Sequence, residues 1–258
     1  MKNFFQSLRF IRPAPRAPRR RLSIDISRVA TYIVGDVHGC YDQLMVLERI
    51  ITEDARRLPG PKLIVMLGDY VDRGPASAQV VEHLLAPPPE SFHRICLMGN
   101  HEMAMLDYLD GHLSLERWLQ MGAAHTLLSY GMDLEYMQQV YRSPQDRDSK
   151  IRAAIPEPHK DFLRSLPILI DAGPFLFVHA GVRPGIPLDE QKDEDLVFIR
   201  NEFFDSAHRL ERWVIHGHTP VEKARPEGRR INVDTGAFYS GRLSALRLWN
   251  RKGRIFST

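Results

Sequence analysis

The chain has 258 residues, 43% hydrophobic and 26% charged, enough for one sizeable core or two small ones. Its two cysteines, Cys40 and Cys96, are too few for a disulfide framework and read as reduced thiols of a cytoplasmic protein. The formal charge of +3 is uneven: residues 1–28 carry eight Lys/Arg against one acid, Asp25, and the rest is net −4. A body of that sign excludes a nucleic-acid binder with a basic working face, so no specific nucleic-acid partner is expected. No stretch reaches the roughly 18 consecutive apolar residues of a spanning helix, so no transmembrane segment is expected either.

Residues 1–28 read as a flexible basic tail. Phe4, Phe5, Leu8 and Ile11 share one side of a helical pattern, Pro13, Pro15 and Pro18 stop it, and Arg19–Arg21 form a basic block. The unbroken apolar core of a secretory signal is missing. The expected state is solvated, with weak contact to an anionic surface as the alternative.

Residues 29–258 alternate short apolar runs with helical patterns and read as one domain. Val29–Val34 is a predicted strand, followed by a helix whose buried side is Leu44, Leu47, Ile51, Ala55 and Leu58. Lys62–Leu67, a helix over Ala76–Leu85 and Arg94–Met98 follow. Residues 103–166 read as a helical insertion punctuated by Gly111, Gly122 and Gly131. Strands resume at Phe175–Val178, Arg212–Ile215, Arg230–Val233 and Leu243–Leu248, with an antiparallel return expected at Ser240-Gly241.

Each early strand empties into a short polar loop: Gly35-Asp36-Val37-His38-Gly39, Gly68-Asp69-Tyr70-Val71-Asp72-Arg73-Gly74, and Gly99-Asn100-His101-Glu102. Later strands deliver His179-Ala180-Gly181 and His216-Gly217-His218-Thr219. Strand ends far apart in sequence converge at one edge of an open α/β sheet, where ligands bind. Carboxylate, imidazole and amide oxygen together suit two divalent ions, Mn²⁺ foremost, with Fe or Zn²⁺ as alternatives. Asp36, His38 and Asp69 make one ligand set and Asn100, His179 and His218 a second, with Asp69 placed to bridge them.

These motifs, GDVHG, GDYVDRG, GNHE, HAG and HGHT, resemble those of the metal-dependent protein serine/threonine phosphatases of the calcineurin-like metallophosphoesterase superfamily, a branch that includes diadenosine tetraphosphatases. The strings HAGVRPG at 179–185, LVFIR at 196–200 and VDTGAFYSGRLSAL at 233–246 look most like small bacterial members. The resemblance implies an α/β sandwich of two mixed β-sheets flanked by helices, with a binuclear metal site at one edge. It makes Asp69 a ligand of both metals and leaves His216 as a neighbour. It places the catalytic acid on His101, its orienting carboxylate on Asp72, and phosphate-binding arginines on Arg73 and Arg200. Unlike the eukaryotic members, the chain has no SAPNY loop; Tyr239 stands roughly where their pocket tyrosine does. Arg183, close behind His179, is a further candidate for substrate contact, and Arg200 lies in an apolar run where an unpaired cation is costly.

The expected reaction is phosphomonoester hydrolysis by direct in-line attack of a metal-bridging hydroxide, with a phosphoprotein or phosphopeptide (Ser/Thr, or Tyr) as substrate and small phosphate esters turned over in vitro. Diadenosine tetraphosphate or another nucleotide anhydride is the alternative, and a non-catalytic phosphate-binding module the remaining one. The body's negative charge and the lack of an obvious base-stacking pair weigh against the nucleotide.

Overall fold

The computed structural model describes residues 17–258, so the expectations for Phe4, Phe5, Leu8 and Ile11 lie outside the described residues. In chain order, β1 (Arg21–Ser23) and β2 (Ala30–Val34) precede α1 (Tyr41–Ala55), β3 (Lys62–Met66), α2 (Ser77–Leu85) and β4 (Phe92–Cys96). Six helices follow: α3 (Asn100–Leu109), α4 (Leu115–Leu119), α5 (Ala123–Ser129), α6 (Leu134–Val140), α7 (Pro144–Ala154) and α8 (Glu157–Ser165). The second half contributes β5 (Leu169–Ala172), β6 (Phe175–Val178), α9 (Asp193–Phe198), α10 (Asn201–Asp205), β7 (Trp213–His216), β8 (Arg225–Glu227), β9 (Arg230–Asn232), α11 (Ala237–Ser240), β10 (Ser244–Trp249) and β11 (Lys252–Ser257).

The strands form two mixed sheets, ordered β1-β5-β6-β7-β9-β8 and β11-β10-β2-β3-β4. Alternation along the strands explains why they face each other. Ile33, Leu63 and Val65 point inward against Ile170, Phe177, Ile215 and Val233 of the other sheet. Their neighbours Tyr32, Val34, Ile64 and Met66 point outward into the core shared with α1 and α2. The predicted side of α1 is the observed one: Leu44, Leu47, Ile51 and Ala55 are buried. This is the sandwich that the resemblance implied, with the insertion built entirely of helices.

Two expectations need correction. Ser240-Gly241 is no hairpin: Ser240 ends α11 and Gly241, at φ 70°, caps it, after which β10 joins the opposite sheet from β9. The antiparallel return lies between β10 and β11, at Asn250 and Arg251, both at positive φ (49° and 60°), as a tight hairpin turn requires.

The second correction concerns the basic segment. Arg21–Ser23 are not tail but an edge strand, parallel to β5. The Arg19 guanidinium donates to the carbonyls of Arg164 and Leu166 at the end of the insertion. The Arg21 guanidinium donates to the carbonyls of Asp189 and Gln191 and pairs with Asp193. These arginines are engaged within the fold. A few such hydrogen bonds, at roughly 1 kcal/mol each, sum to about 2–4 kcal/mol. A chain beginning at Ser27 should therefore unfold about 5–15 °C below one beginning at Ala17, by circular dichroism. Equal midpoints would return Arg19–Ser23 to the role of a dispensable tail.

Candidate metal centre

The carboxyl ends of β2, β3 and β4 in one sheet, and of β6, β7 and β9 in the other, meet along one edge of the sandwich. Two hydrogen bonds stitch the sheets together there: His179 Nδ1 to the Leu67 carbonyl (3.0 Å), and the His218 amide to Asp36 Oδ2 (3.0 Å). The turns that follow are sharp. Five of the eight non-glycine residues with positive φ among the described residues are His38, Asp69, Asp72, Arg73 and His218. Such conformations are costly and persist where the surroundings enforce them, commonly at functional sites. Gly217 is required by close approach, since a Cβ there would stand 2.0 Å from Asp36 Oδ1.

Two ligand triads share Asp69: His38, Asp69 and His101 on one side, and Asp69, His179 and His218 on the other. All five side chains are buried. His38 Nδ1 donates to the Val71 carbonyl (2.9 Å), which leaves the Nε2 lone pair facing Asp69 Oδ2 at 3.4 Å. His179 Nδ1 is likewise spent on Leu67, so its Nε2 lone pair faces Asp69 Oδ1 (3.4 Å) and Asn100 Oδ1 (2.9 Å). Asn100 Oδ1 also lies 2.8 Å from His218 Nδ1. Asp36 Oδ1 is buried with no hydrogen-bond partner. Converging acceptors and an orphaned carboxylate oxygen are what divalent cations satisfy, so the residues present fit a pair of ions.

The electrostatics point the same way. Burial, then the Asp234 and Asp69 carboxylates, push the Asp36 carboxyl well above its ordinary range. Burial alone would raise Asp69, but His179, His101, His38 and His218 outweigh it and hold its carboxyl low. Burial lowers the His38 and His218 imidazoles to about 3, keeping both neutral as ligation requires.

His101 differs. Burial works against its charge, yet Asp69 and the Asp72 hydrogen bond raise its pKa above the ordinary value. Its Nδ1 lies 2.7 Å from Asp72 Oδ2, and its Nε2 is directed at the centre, 3.9 Å from Asp69 Oδ2. Asp72 is held by residues that the motifs did not reveal. The Trp118 indole N–H donates to Oδ2 (3.1 Å), the Thr126 hydroxyl donates to Oδ1 (2.7 Å), and the Asp72 amide donates to Ser77 Oγ and Thr126 Oγ1. The insertion thus buttresses the His101–Asp72 pair. Glu102 fixes the loop instead of facing the centre, its carboxylate accepting from the amides of Asp69, Tyr70, Val71 and Gly99.

Arg73 lies with Nη1 3.0 Å from His38 Nε2 and its guanidinium stacked 4.8 Å over the Phe238 ring. Arg200 is exposed, not buried in an apolar run, and donates from Nε to His218 Nε2 (3.1 Å). Arg183 is occupied elsewhere, in a bidentate pair with Asp195 and a second pair with Glu202. Tyr239 is exposed on α11, and Phe238, which the sequence did not single out, is the ring beside His38 (5.4 Å). Asp234 was also missed; it is buried beside Asp36, and burial raises its carboxyl to about 6. His216 packs edge-on against Phe203 (5.0 Å), away from both triads.

Residues 30–237 match the family model described as calcineurin-like phosphoesterase. Two bacterial relatives, each named bis(5'-nucleosyl)-tetraphosphatase PrpE [asymmetrical], are those of Halalkalibacterium halodurans and Bacillus subtilis. They are 29% and 25% identical over 231 and 235 residues; each comparison covers 83% of this chain, and 88% and 89% of the relative. A crystal structure provisionally described as a diadenosine tetraphosphatase is similar at a TM-score of 0.64 and 21% identity, covering 93% of this chain and 98% of that one. A protein serine/threonine phosphatase from Saccharomyces cerevisiae is similar at a TM-score of 0.59 and 15% identity, covering 93% and 84%. At these identities the two structures speak for the fold alone. The match over residues 30–237 spans every ligand of both triads, and with it the chain belongs to the calcineurin-like phosphoesterase family, as a metal-dependent hydrolase.

Proposed function

We propose that this chain hydrolyses dinucleoside polyphosphates, with diadenosine tetraphosphate as the representative substrate, by adding water across a P–O–P anhydride without a covalent phosphoenzyme. The observation that carries the substrate class is that relatives aligned over 83% of this chain bear the tetraphosphatase name. The sequence alone favours a phosphoprotein, partly because the body is net negative. Net charge is the wrong measure, since a polyanion meets Arg73, Arg200 and the metal centre at the edge, and field strength there is local.

When bound, two divalent ions supply Lewis-acid polarisation of the phosphoryl oxygens and acidify the attacking water. Asp69 would serve both ion sites, with Asp36 and His38 holding one and Asn100, His179 and His218 the other. Mn²⁺ is the proposed metal, consistent with the mixed oxygen and imidazole donors. Arg73 and Arg200 hold the non-bridging oxygens from opposite sides of the centre, their planar forks matching phosphate geometry. His101, kept protonated against Asp72, gives its Nε2 proton to the departing oxygen.

Chelation should abolish turnover, with Mn²⁺ restoring it, and should also lower the unfolding midpoint, because the buried carboxylates lose their counter-charge. Metal-free protein that hydrolyses substrate at the full rate would overturn the mechanism. Kinetics on diadenosine tetraphosphate and on a phosphoserine peptide decide the substrate class: kcat/KM at least tenfold higher for the dinucleotide is expected, and the reverse order restores the phosphoprotein reading.

A third outcome separates His101 from the ligands. His101→Ala should retain two ions per chain by elemental analysis, whereas Asp36→Asn should lose one. The rate on an alkyl phosphate should fall roughly 10²- to 10⁴-fold in His101→Ala. The loss should be smaller on the anhydride, whose departing phosphate oxygen needs less protonation. Loss of an ion from His101→Ala would make His101 a ligand in place of Asp36.

A further inference from the structure

The groups assigned so far recognise phosphate, which every candidate substrate carries. Selection among substrates must come from what borders the centre. Two aromatic groups do so, on the two sides of the shared Asp69. Beside His38 stands Phe238, with its ring 5.4 Å away and Tyr239 edge-on to it at 4.9 Å. Beside His218 stands Phe198, edge-on at 6.4 Å, two residues before Arg200. The order is the same on both sides: a ligand histidine, an arginine against it, and an exposed ring.

The rings are unusually open for their type. Phe238 is 37% exposed, Phe198 45% and Tyr239 64%. Apolar surface left bare beside a charged centre marks a place for a ligand with a flat apolar face. The rings are also firmly seated. Tyr239 occupies the space that a Cβ on Gly236 would need, 2.2 Å from its ring, and Gly236 sits at φ +66°, where glycine is favoured. Phe198 ends a short helix anchored by the buried Leu196 and Val197. Preorganised rings bind at little entropic cost.

We propose that Phe198 and the Phe238–Tyr239 pair are nucleobase-stacking positions, one on each side of the phosphate centre, which together select a polyphosphate carrying a base at each end. This rests on the dinucleoside polyphosphate reading above. Stacking reads the π-face and not the hydrogen-bonding edge. The enzyme should therefore demand two bases yet discriminate weakly between adenine and guanine. Arg73, stacked on Phe238, then contacts phosphate with its edge while its face stays on the ring.

The experiment uses metal-loaded enzyme and four substrates: diadenosine tetraphosphate, adenosine tetraphosphate, inorganic tetraphosphate and a phosphoserine peptide. Wild type, Phe198→Leu, Tyr239→Leu and Phe198→Trp are compared. Calorimetric affinity for a methylene-bridged, uncleavable diadenosine tetraphosphate gives a readout independent of turnover. Each leucine variant should lower the two-base over no-base ratio of kcat/KM about 5- to 100-fold, mainly through KM, and weaken the analogue in parallel. Phe198→Trp, which keeps a ring, should retain the wild-type ratio. If wild type prefers the dinucleotide but neither leucine variant moves the ratio or the affinity, the stacking positions are overturned while the substrate class stands. If wild type turns over a phosphoserine peptide and not the dinucleotide, the underlying reading fails first, and the rings are then free to serve an apolar peptide side chain.

Discussion

Five carboxyl groups, those of Asp36, Asp69, Asp72, Glu102 and Asp234, are packed into the buried edge where the two sheets meet. Taking that much negative charge out of water is prohibitive unless each group finds a counter-charge, a proton or several hydrogen bonds. The edge uses all three. Glu102 is surrounded by four backbone amides, Asp72 by an indole, a hydroxyl and an imidazole, and Asp69 by histidines. Asp36 and Asp234 are the least compensated, each accepting one backbone amide, from His218 and Gly236, and both are shifted upward, chiefly by burial. The fold thus holds a charge deficit at one place, and that deficit is the affinity for cations. Binding and stability are two readings of the same imbalance.

The same constraint explains why the loops are strained. To bring Asp69 between His38 and His179, the chain must turn within two residues of the end of β3, and it does so at positive φ. Glu102 makes that turn affordable by taking the amides of residues 69–71, which then have no strand partner. The insertion contributes in the same way one layer further out, since Trp118 and Thr126 meet on Asp72, and the Gly122 carbonyl accepts from the Arg73 amide. Helices that read in sequence as an insertion are therefore part of what holds the His101–Asp72 pair and Arg73 in place.

This explains which features were legible in the sequence. Donor residues in short glycine-bounded loops are visible because the chain has so little freedom between a strand end and the next helix. The loops carrying His38, Asp69, His101, His179 and His218, which the structure brings together, stood out in the sequence for that reason. The sheet order could not, because pairing between distant strands leaves no local mark. Strands whose sequences lack a clear alternation were missed: Arg21–Ser23 within a basic block, Leu169–Ala172 as a short buried run, Arg225–Glu227 containing a proline, and Lys252–Ser257 on an edge with a single buried residue. Trp118 and Thr126 were illegible as site residues for a different cause. Their roles arise from tertiary contacts more than 40 positions from Asp72.

The aromatic rim follows from the same division between local and global information. In sequence, Phe198 and Phe238 are forty positions apart and belong to different segments, so no pair is visible. The parallel strands of the two sheets end on one edge, and that topology alone carries both rings to the same centre. In the function we propose, the metal centre and its arginines meet only phosphoryl oxygens and are indifferent to what the phosphate is attached to. On that proposal chemistry and choice are held by different residues: buried, charged and strained ones at the strand ends for the first, and exposed rings just beyond them for the second. The first group is constrained by the carboxylate cluster it must neutralise. The second is free of that constraint, and it is there that one phosphohydrolase of this architecture can differ from another without disturbing the metals.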